Sequence, residues 1–194
     1  MKTCSFINFF WLIACVFCLV SCDEESDLIS GPTTSSTMIS GVARSADGMP
    51  LAGVKVSFDY KESAWLGQQT TRHKAEGMTD NEGNYRLYFE LRDDELRDNG
   101  NDASVARSFY LTFDLSSLPE DKYIMPKDIK SDNNGQKLYF YYYNSHFERG
   151  KYYIHNLYVP RKRWIDITVV NDGKIDANDK FVVSNLIKYG GDQL

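Results

Sequence analysis

The sequence predicts an all-β fold, a single antiparallel β-sandwich of about seven or more strands. From Met38 onward, short runs rich in Val, Ile, Phe and Tyr alternate with turn residues. No long segment repeats its apolar residues with a helical period. The stretch 38–194 is long enough to bury one core, so we expect one domain there.

The first predicted strands show a two-residue period, which places every second side chain on the same face. On one strand that face comprises Ile39, Gly41 and Ala43. On the next strand the apolar face comprises Val54, Val56 and Phe58, and on the third Tyr85, Leu87 and Phe89. Turns are expected at Asp47-Gly48 and Asn81-Glu82-Gly83, because Gly adopts positive φ without steric cost.

The second half is predicted to contain a charged loop over 92–102 and further strands. The loop has too few apolar residues to pack as an element. We expect the strands at Phe109–Leu115, Lys137–Tyr143, Tyr152–Tyr158, Trp164–Val170 and Lys180–Ile187.

The first 21 residues have the features of a signal peptide. Lys2 is followed by an almost unbroken apolar run from Phe6 to Val20, which is short for a membrane span of about 20 residues. The run ends in Leu19-Val20-Ser21-Cys22, which resembles the lipobox of bacterial lipoproteins. The resemblance implies cleavage before Cys22 and attachment of lipid, including palmitate, to that cysteine. The alternatives are an ordinary secretory signal cleaved after Ser21 and an uncleaved anchor.

Residues 22–37 are predicted to form a flexible tether between lipid and domain. The segment contains the acidic run 23–27 and a Gly, Pro, Ser and Thr stretch over 31–37, with little apolar surface to bury. The acidic run resembles the surface-export signal of Bacteroidota-type lipoproteins. That resemblance implies an outer-membrane protein displayed on the cell surface.

Composition excludes several classes of function. The four cysteines, Cys4, Cys15, Cys18 and Cys22, all lie in the leader or at its end, so the domain has no thiol for a disulfide or a nucleophile. The net charge is −5, and it becomes −6 when Lys2 leaves with the leader. A duplex nucleic acid is therefore not an expected partner, because phosphate binding requires a basic surface.

Two segments resemble a carboxypeptidase regulatory-like domain. They are Ile39-Ser40-Gly41 through Gly53-Val54-Lys55-Val56 and Thr79-Asp80-Asn81-Glu82-Gly83-Asn84-Tyr85. The resemblance implies a transthyretin-like, or prealbumin-like, sandwich that is itself non-catalytic. The sequence departs from the family at Ala43, where a larger Val is usual. It also departs over 60–77, where a long insert leaves the path of the second strand pair open.

Two patterns are candidate metal sites with a stronger alternative. His73-Lys74-Ala75-Glu76 has the His-x-x-Glu spacing of zinc carboxypeptidases, but neither His146 nor His155 has the pattern of a third ligand. Asp172, Asp176 and Asp179 resemble the second half of a calcium loop, although Thr168 and Val170 stand where two oxygen ligands are required. We favour a chance occurrence for the His-x-x-Glu spacing and a β-hairpin turn for the aspartate segment. We therefore expect neither a metal nor a cofactor.

Aromatic residues are the candidate ligand contacts. Tyr139, Tyr141 and Tyr143 are predicted to share one strand face, with Trp65 and Trp164 elsewhere in the chain. Exposed rings bind sugars or protein partners, whereas buried rings fill a core. The sequence thus predicts a non-enzymatic, lipid-anchored binding or assembly module, with a glycan-binding accessory lipoprotein of a nutrient-uptake system as the alternative.

Overall fold

The computed structural model describes residues 22–64, 69–96, 105–126, 137–143, 147–168, 170 and 173. All elements formed by these residues are strands, which confirms the all-β prediction. The strands are β1 (Cys22–Ser26), β2 (Thr37–Ser45), β3 (Lys55–Ala64), β4 (Gln69–Met78), β5 (Asn84–Phe89), β6 (Val105–Asp114), β7 (Leu138–Tyr143), β8 (Tyr152–Ile154) and β9 (Leu157–Val159).

The strands form the two sheets of a β-sandwich. One sheet has the order β1-β4-β3-β6-β7, and the other has the order β5-β2-β8, with β9 also paired to β2. The sheets are mixed rather than purely antiparallel, because β1 runs parallel to β4 and both β8 and β9 run parallel to β2. These three strands reach their neighbours through longer connections, whereas the β3–β4 pair is a hairpin.

Aromatic side chains from both sheets meet in the core. The Phe58 ring of β3 lies 4.5 Å from the Phe89 ring of β5, and the Tyr85 ring packs edge-on against Phe113 at 5.4 Å. The alternation predicted for β2, β3 and β5 is present in their buried residues, which are Ile39, Ala43, Val56, Phe58, Tyr85, Leu87 and Phe89. The apolar face of each strand therefore points between the sheets.

The stretch 60–77, predicted to be a long insert, instead forms most of the β3–β4 pair. Its register shifts between Phe58, which pairs with Ala75, and Asp59, which pairs with His73. The extra residue is Lys74, and both Lys74 and Ala75 are buried. A β-bulge explains this, since it inserts one residue and locally breaks the alternation of side chains.

The strand predicted at Tyr152–Tyr158 is divided into β8 and β9. The two strands lie beside successive parts of β2, and the His155 N–H donates to the Ser40 carbonyl at 2.9 Å between them. A Cβ on Gly41 would lie 1.7 Å from the His155 carbonyl oxygen. The two backbones approach so closely that only glycine fits at Gly41.

The prediction of a strand at Trp164–Val170 is wrong over 164–168, which form no strand. In the described part of this region, backbone pairing extends to Lys162, whose N–H donates to the Lys122 carbonyl at 2.8 Å. Alternating β-branched residues form a strand only where a neighbouring edge supplies hydrogen bonds. The strand predicted at Lys180–Ile187 lies outside the described residues.

The structure also corrects the flexible tether predicted over 22–37. Its first five residues form β1, and the Asp27 N–H then donates to the His73 carbonyl at 2.8 Å. Farther on, the Thr33 hydroxyl donates to Glu90 at 2.7 Å. The prediction weighed only the apolar content of the segment, whereas the edge of β4 and nearby cations supply the partners of its polar groups.

Candidate functional site at the lipid-attachment edge

Cys22, the predicted lipidation residue, is the first residue of an edge strand. Its Cα partner is Gln69, the first residue of β4. Gln69 also pairs with Ser63, next to the end of β3 at Ala64. The backbone of Cys22 therefore lies at one end of the five-stranded sheet, which we call the anchor end.

A network of seven charged side chains holds the segment after Cys22 against the sandwich. We call it the anchor cluster, and it comprises Glu25, Asp27, Arg72, Lys74, Arg92, Asp94 and Glu95. The Lys74 ammonium donates to Asp27 at 2.6 Å and to the two carboxylate oxygens of Glu95 at 2.9 and 3.0 Å. The side chains of Lys74 and Glu95 are 1% and 0% exposed, so their ion pair is sealed from water.

Arg72 is the second cation of the anchor cluster. Its guanidinium contacts Glu25 at 3.0 Å, Asp94 at 2.8 Å and Glu95 at 3.3 Å. It also lies over the Tyr60 ring, 5.3 Å from the centroid. One side chain thus links β1, the loop after β5 and the core, an arrangement suited to the several donors of a guanidinium.

Arg92 completes the cluster by binding two of the four acidic residues in the segment that follows Cys22. It contacts Glu25 at 2.9 Å and also pairs with Asp27. The loop that holds Arg92 is itself folded, because the Arg92 N–H donates to the Glu95 carboxylate at 2.9 Å. Residues 92–96 of the charged loop therefore pack on the sandwich, which the low apolar content of the loop did not predict.

The charges of the cluster stabilise one another. Burial alone raises the pKa of Asp27, but hydrogen bonds from Lys74 and Arg92 hold that pKa below its usual value of 3.8. Burial likewise raises the pKa of Asp94, but the hydrogen bond from Arg72 and the positive charges of Arg72 and Arg92 together lower it, so the net shift is downward. Carboxylates stabilised in this way remain ionised and do not act as proton donors near neutral pH.

The His-x-x-Glu pair lies on the outer face of β4. The bulge places His73 and Glu76 on the same face, and His73 contacts Asp59 at 2.6 Å and Glu76 at 3.4 Å. Glu76 also binds Lys55 at 2.9 Å. Within the described residues, no three His, Cys, Asp or Glu side chains are grouped so that they could hold a metal ion.

The three candidate tyrosines of β7 face the core. The Tyr139 ring lies 6.2 Å from Phe113, Tyr141 lies 3.9 Å from His155, and all three tyrosines are partly buried. The neighbouring Tyr141 and Tyr143 rings are inclined at 76° and form no flat platform. The solvent-facing rings of this strand are Phe140 and Tyr142, which are 42% and 46% exposed.

Trp164 begins an exposed apolar segment. Its side chain is 93% exposed, and Ile165, Ile167 and Val170 are 79%, 52% and 82% exposed. The preceding Arg163 contacts Asp47 in the turn after β2, at 3.5 Å. Trp65, Asp172, Asp176 and Asp179 lie outside the described residues.

Sequence reasoning missed the two central members of the anchor cluster, Lys74 and Glu95. Lys74 stands among polar neighbours, and the bulge that turns it inward has no signal in the alternation pattern. For Glu95 a weak signal existed, because Leu91 precedes the charged loop, Leu96 lies within it next to Glu95, and both leucines pack in or against the core.

Comparison with known proteins leaves the family open. No family model and no curated protein matches the chain. Similar solved structures include a 9R-lipoxygenase from Cyanothece (14% identity, TM-score 0.35), with 80% of this chain and 20% of that chain covered. Another is 3-chlorocatechol 1,2-dioxygenase from Rhodococcus opacus (9% identity, TM-score 0.34), with 71% and 64% covered.

This chain therefore spans a fifth of the lipoxygenase and less than two thirds of the dioxygenase. At these identities and TM-scores the likeness carries no inference about activity. The described residues contain no helix long and apolar enough to cross a membrane.

Proposed function

We propose that this protein is a non-catalytic lipoprotein of the outer membrane, anchored through Cys22, whose β-sandwich binds or assembles with a protein partner. The observation that carries the proposal is the position of Cys22. It follows a lipobox-like sequence, and its backbone lies at one end of the five-stranded sheet, beside Gln69. The acidic residues beside it support display on the cell surface.

The state of the titratable groups supports a non-catalytic role. In the part of the chain that the structure describes, the most buried charged groups are Lys74 and Glu95, which are paired with each other and closed to a substrate. On the outer face, His73 is held between Asp59 and Glu76. Catalysis requires a titratable group that can reach a reacting atom.

The exposed apolar segment supports a binding role. Contiguous apolar side chains facing water are costly in a monomeric protein and mark sites of interaction. Trp164, Val170 and Ile165 are the most exposed residues of this segment. Tryptophan is among the residues that contribute most to protein interfaces.

Site-specific photocross-linking in intact cells tests the binding role. A photoreactive residue at Trp164 or Ile165 is expected to yield an adduct of the same mass, while one at the exposed polar Glu82 yields none. Absence of that adduct at both apolar positions, or an equal yield at Glu82, would contradict a partner site in this segment.

A glycan-binding accessory role in nutrient uptake is the second candidate. It is favoured by the outer face of the larger sheet, where Tyr110 and Tyr142 lie 5.1 Å apart and Lys61 lies over Tyr110. Affinity electrophoresis on polysaccharide gels tests this role. Retardation that is lost in Tyr142→Ala or Trp164→Ala would favour it over the protein-binding role.

A further inference from the structure

We propose that the anchor end of the sandwich rests directly on the lipid bilayer and that the opposite end points away from it. This inference rests on the proposed lipidation of Cys22. Its geometric basis is that no unpaired residue separates the lipidation site from the sheet, because Cys22 itself is the first paired residue of β1. A lipid on its thiol therefore brings Gln69 and the end of β3 to the membrane surface.

The connection is stiff because β1 is held along its length. Five successive residues, 22–26, pair with 69–73 of β4, and the Asp27 N–H continues the pairing. The side chains of Glu25 and Asp27 are bound by Arg72, Lys74 and Arg92. Releasing β1 would leave the Lys74–Glu95 pair without its third member, and unpairing buried charges is costly.

The strand direction defines what lies at each end. β3 runs from Lys55 to Ala64, so its ten residues span about 30 Å of sheet at roughly 3.3 Å per residue. Ser63 and Ala64 lie at the anchor end, whereas the turn after β4, which includes Glu82, lies at the opposite end. The two ends are therefore far enough apart for one to contact lipid while the other does not.

The same orientation presents the proposed binding segment to the exterior. Arg161 and Arg163 both contact Asp47, which lies in the turn after β2. That turn is on the side of the Asp80–Asn84 turn, since Val42 pairs with Asn84. Trp164 follows directly and so leaves the sandwich from the end opposite the lipid.

Depth measurement with single-cysteine probes tests the orientation. Once Cys22 is lipidated the mature chain has no free thiol, so Ser63→Cys and Glu82→Cys each introduce a unique labelling site. Both side chains are exposed. The lipidated proteins are labelled with a fluorophore and inserted into vesicles containing nitroxide-headgroup lipid, and quenching is compared.

The Ser63 label is expected to be quenched severalfold more strongly than the Glu82 label. Inserting about ten Gly and Ser residues after Cys22 adds a linker spanning roughly 17 Å and should abolish the difference. Equal quenching without the insertion would overturn the inference, as would strong Ser63 quenching that survives it. Mass analysis of the Cys22 peptide separates the claims, since missing lipid overturns the proposed anchor, and this orientation with it.

Discussion

At the scale of single residues, Gly41 shows the most restrictive contact of the core. The His155 carbonyl oxygen occupies the position of a Cβ, and the Tyr85 hydroxyl donates to that same carbonyl at 2.7 Å. We expect Gly41→Ala to lower the free energy of unfolding by about 1–3 kcal/mol or more, as overpacking does. The control is Gly31→Ala, where no atom lies within 4 Å of the new methyl group. Similar urea midpoints for the two variants would contradict this contact.

Lys74 is the residue on which the anchor cluster depends. Lys74→Met removes the nearer of the two cations that contact buried Glu95, the other being Arg72, and is expected to cost about 3–5 kcal/mol of unfolding free energy. Lys55→Met removes a similar side chain from an exposed pair with Glu76, so its effect should be a small fraction of that loss. Chemical denaturation of both variants measures the contrast, and equal losses would show that burial of the Lys74 pair is not what matters.

At the scale of elements, β1 is predicted to be part of the folded domain. Deleting residues 23–27 removes Glu25 and Asp27 from the cluster and leaves Lys74 with Glu95 alone. We therefore expect a lower thermal midpoint than in the intact mature chain. Deleting part of a flexible tether would leave the thermal midpoint unchanged. An unchanged midpoint would therefore contradict the pairing of β1 with the domain and favour a flexible tether.

The pairing of β1 should also depend on pH. Because the folded pKa of Asp27 lies below its unfolded value of 3.8, its contribution is present above about pH 4. The contribution is lost as the pH falls through the folded pKa. Asp27→Asn should therefore lose less stability between pH 5 and pH 3 than the unaltered protein. Parallel curves for the two proteins over that interval would contradict the assignment.

Local alternation predicted the strands that bury one face. β2, β3, β5 and β6 have apolar residues at every second position, and each lies beside the core. The predictions that were wrong concern segments whose structure depends on partners distant in sequence. β1 is a strand because β4 provides an edge, and Trp164 is not in one although its segment alternates.

The candidate site was predictable only where a motif is local. Cys22 is defined by the four residues of the lipobox-like sequence. The anchor cluster joins three segments, around Glu25, Lys74 and Glu95, whose proximity is produced by the bulge and by the parallel pairing of β1. For the β7 tyrosines the alternation gave the shared face, while the neighbouring Phe147 and His155 show that this face is the inner one.

At the scale of the whole molecule, the protein has two chemically different ends. Cys22 lies at the anchor end, and the segment beginning at Trp164 leaves from the other end. A lipoprotein built in this way would hold its binding segment at a fixed distance from the bilayer. We accordingly expect protease treatment of intact cells to cleave the exposed Trp164 region, as it does in lysed cells. Protection in intact cells alone would place the domain on the periplasmic side.

Lipidation of Cys22 is the central claim, and the most direct measurement is mass spectrometry of the amino-terminal peptide of the protein purified from membranes. We predict that the mature chain begins at Cys22 and that this residue carries the mass of attached acyl chains, with palmitate labelling lost in Cys22→Ala. A mature chain that begins elsewhere, or an unmodified Cys22, would contradict the account.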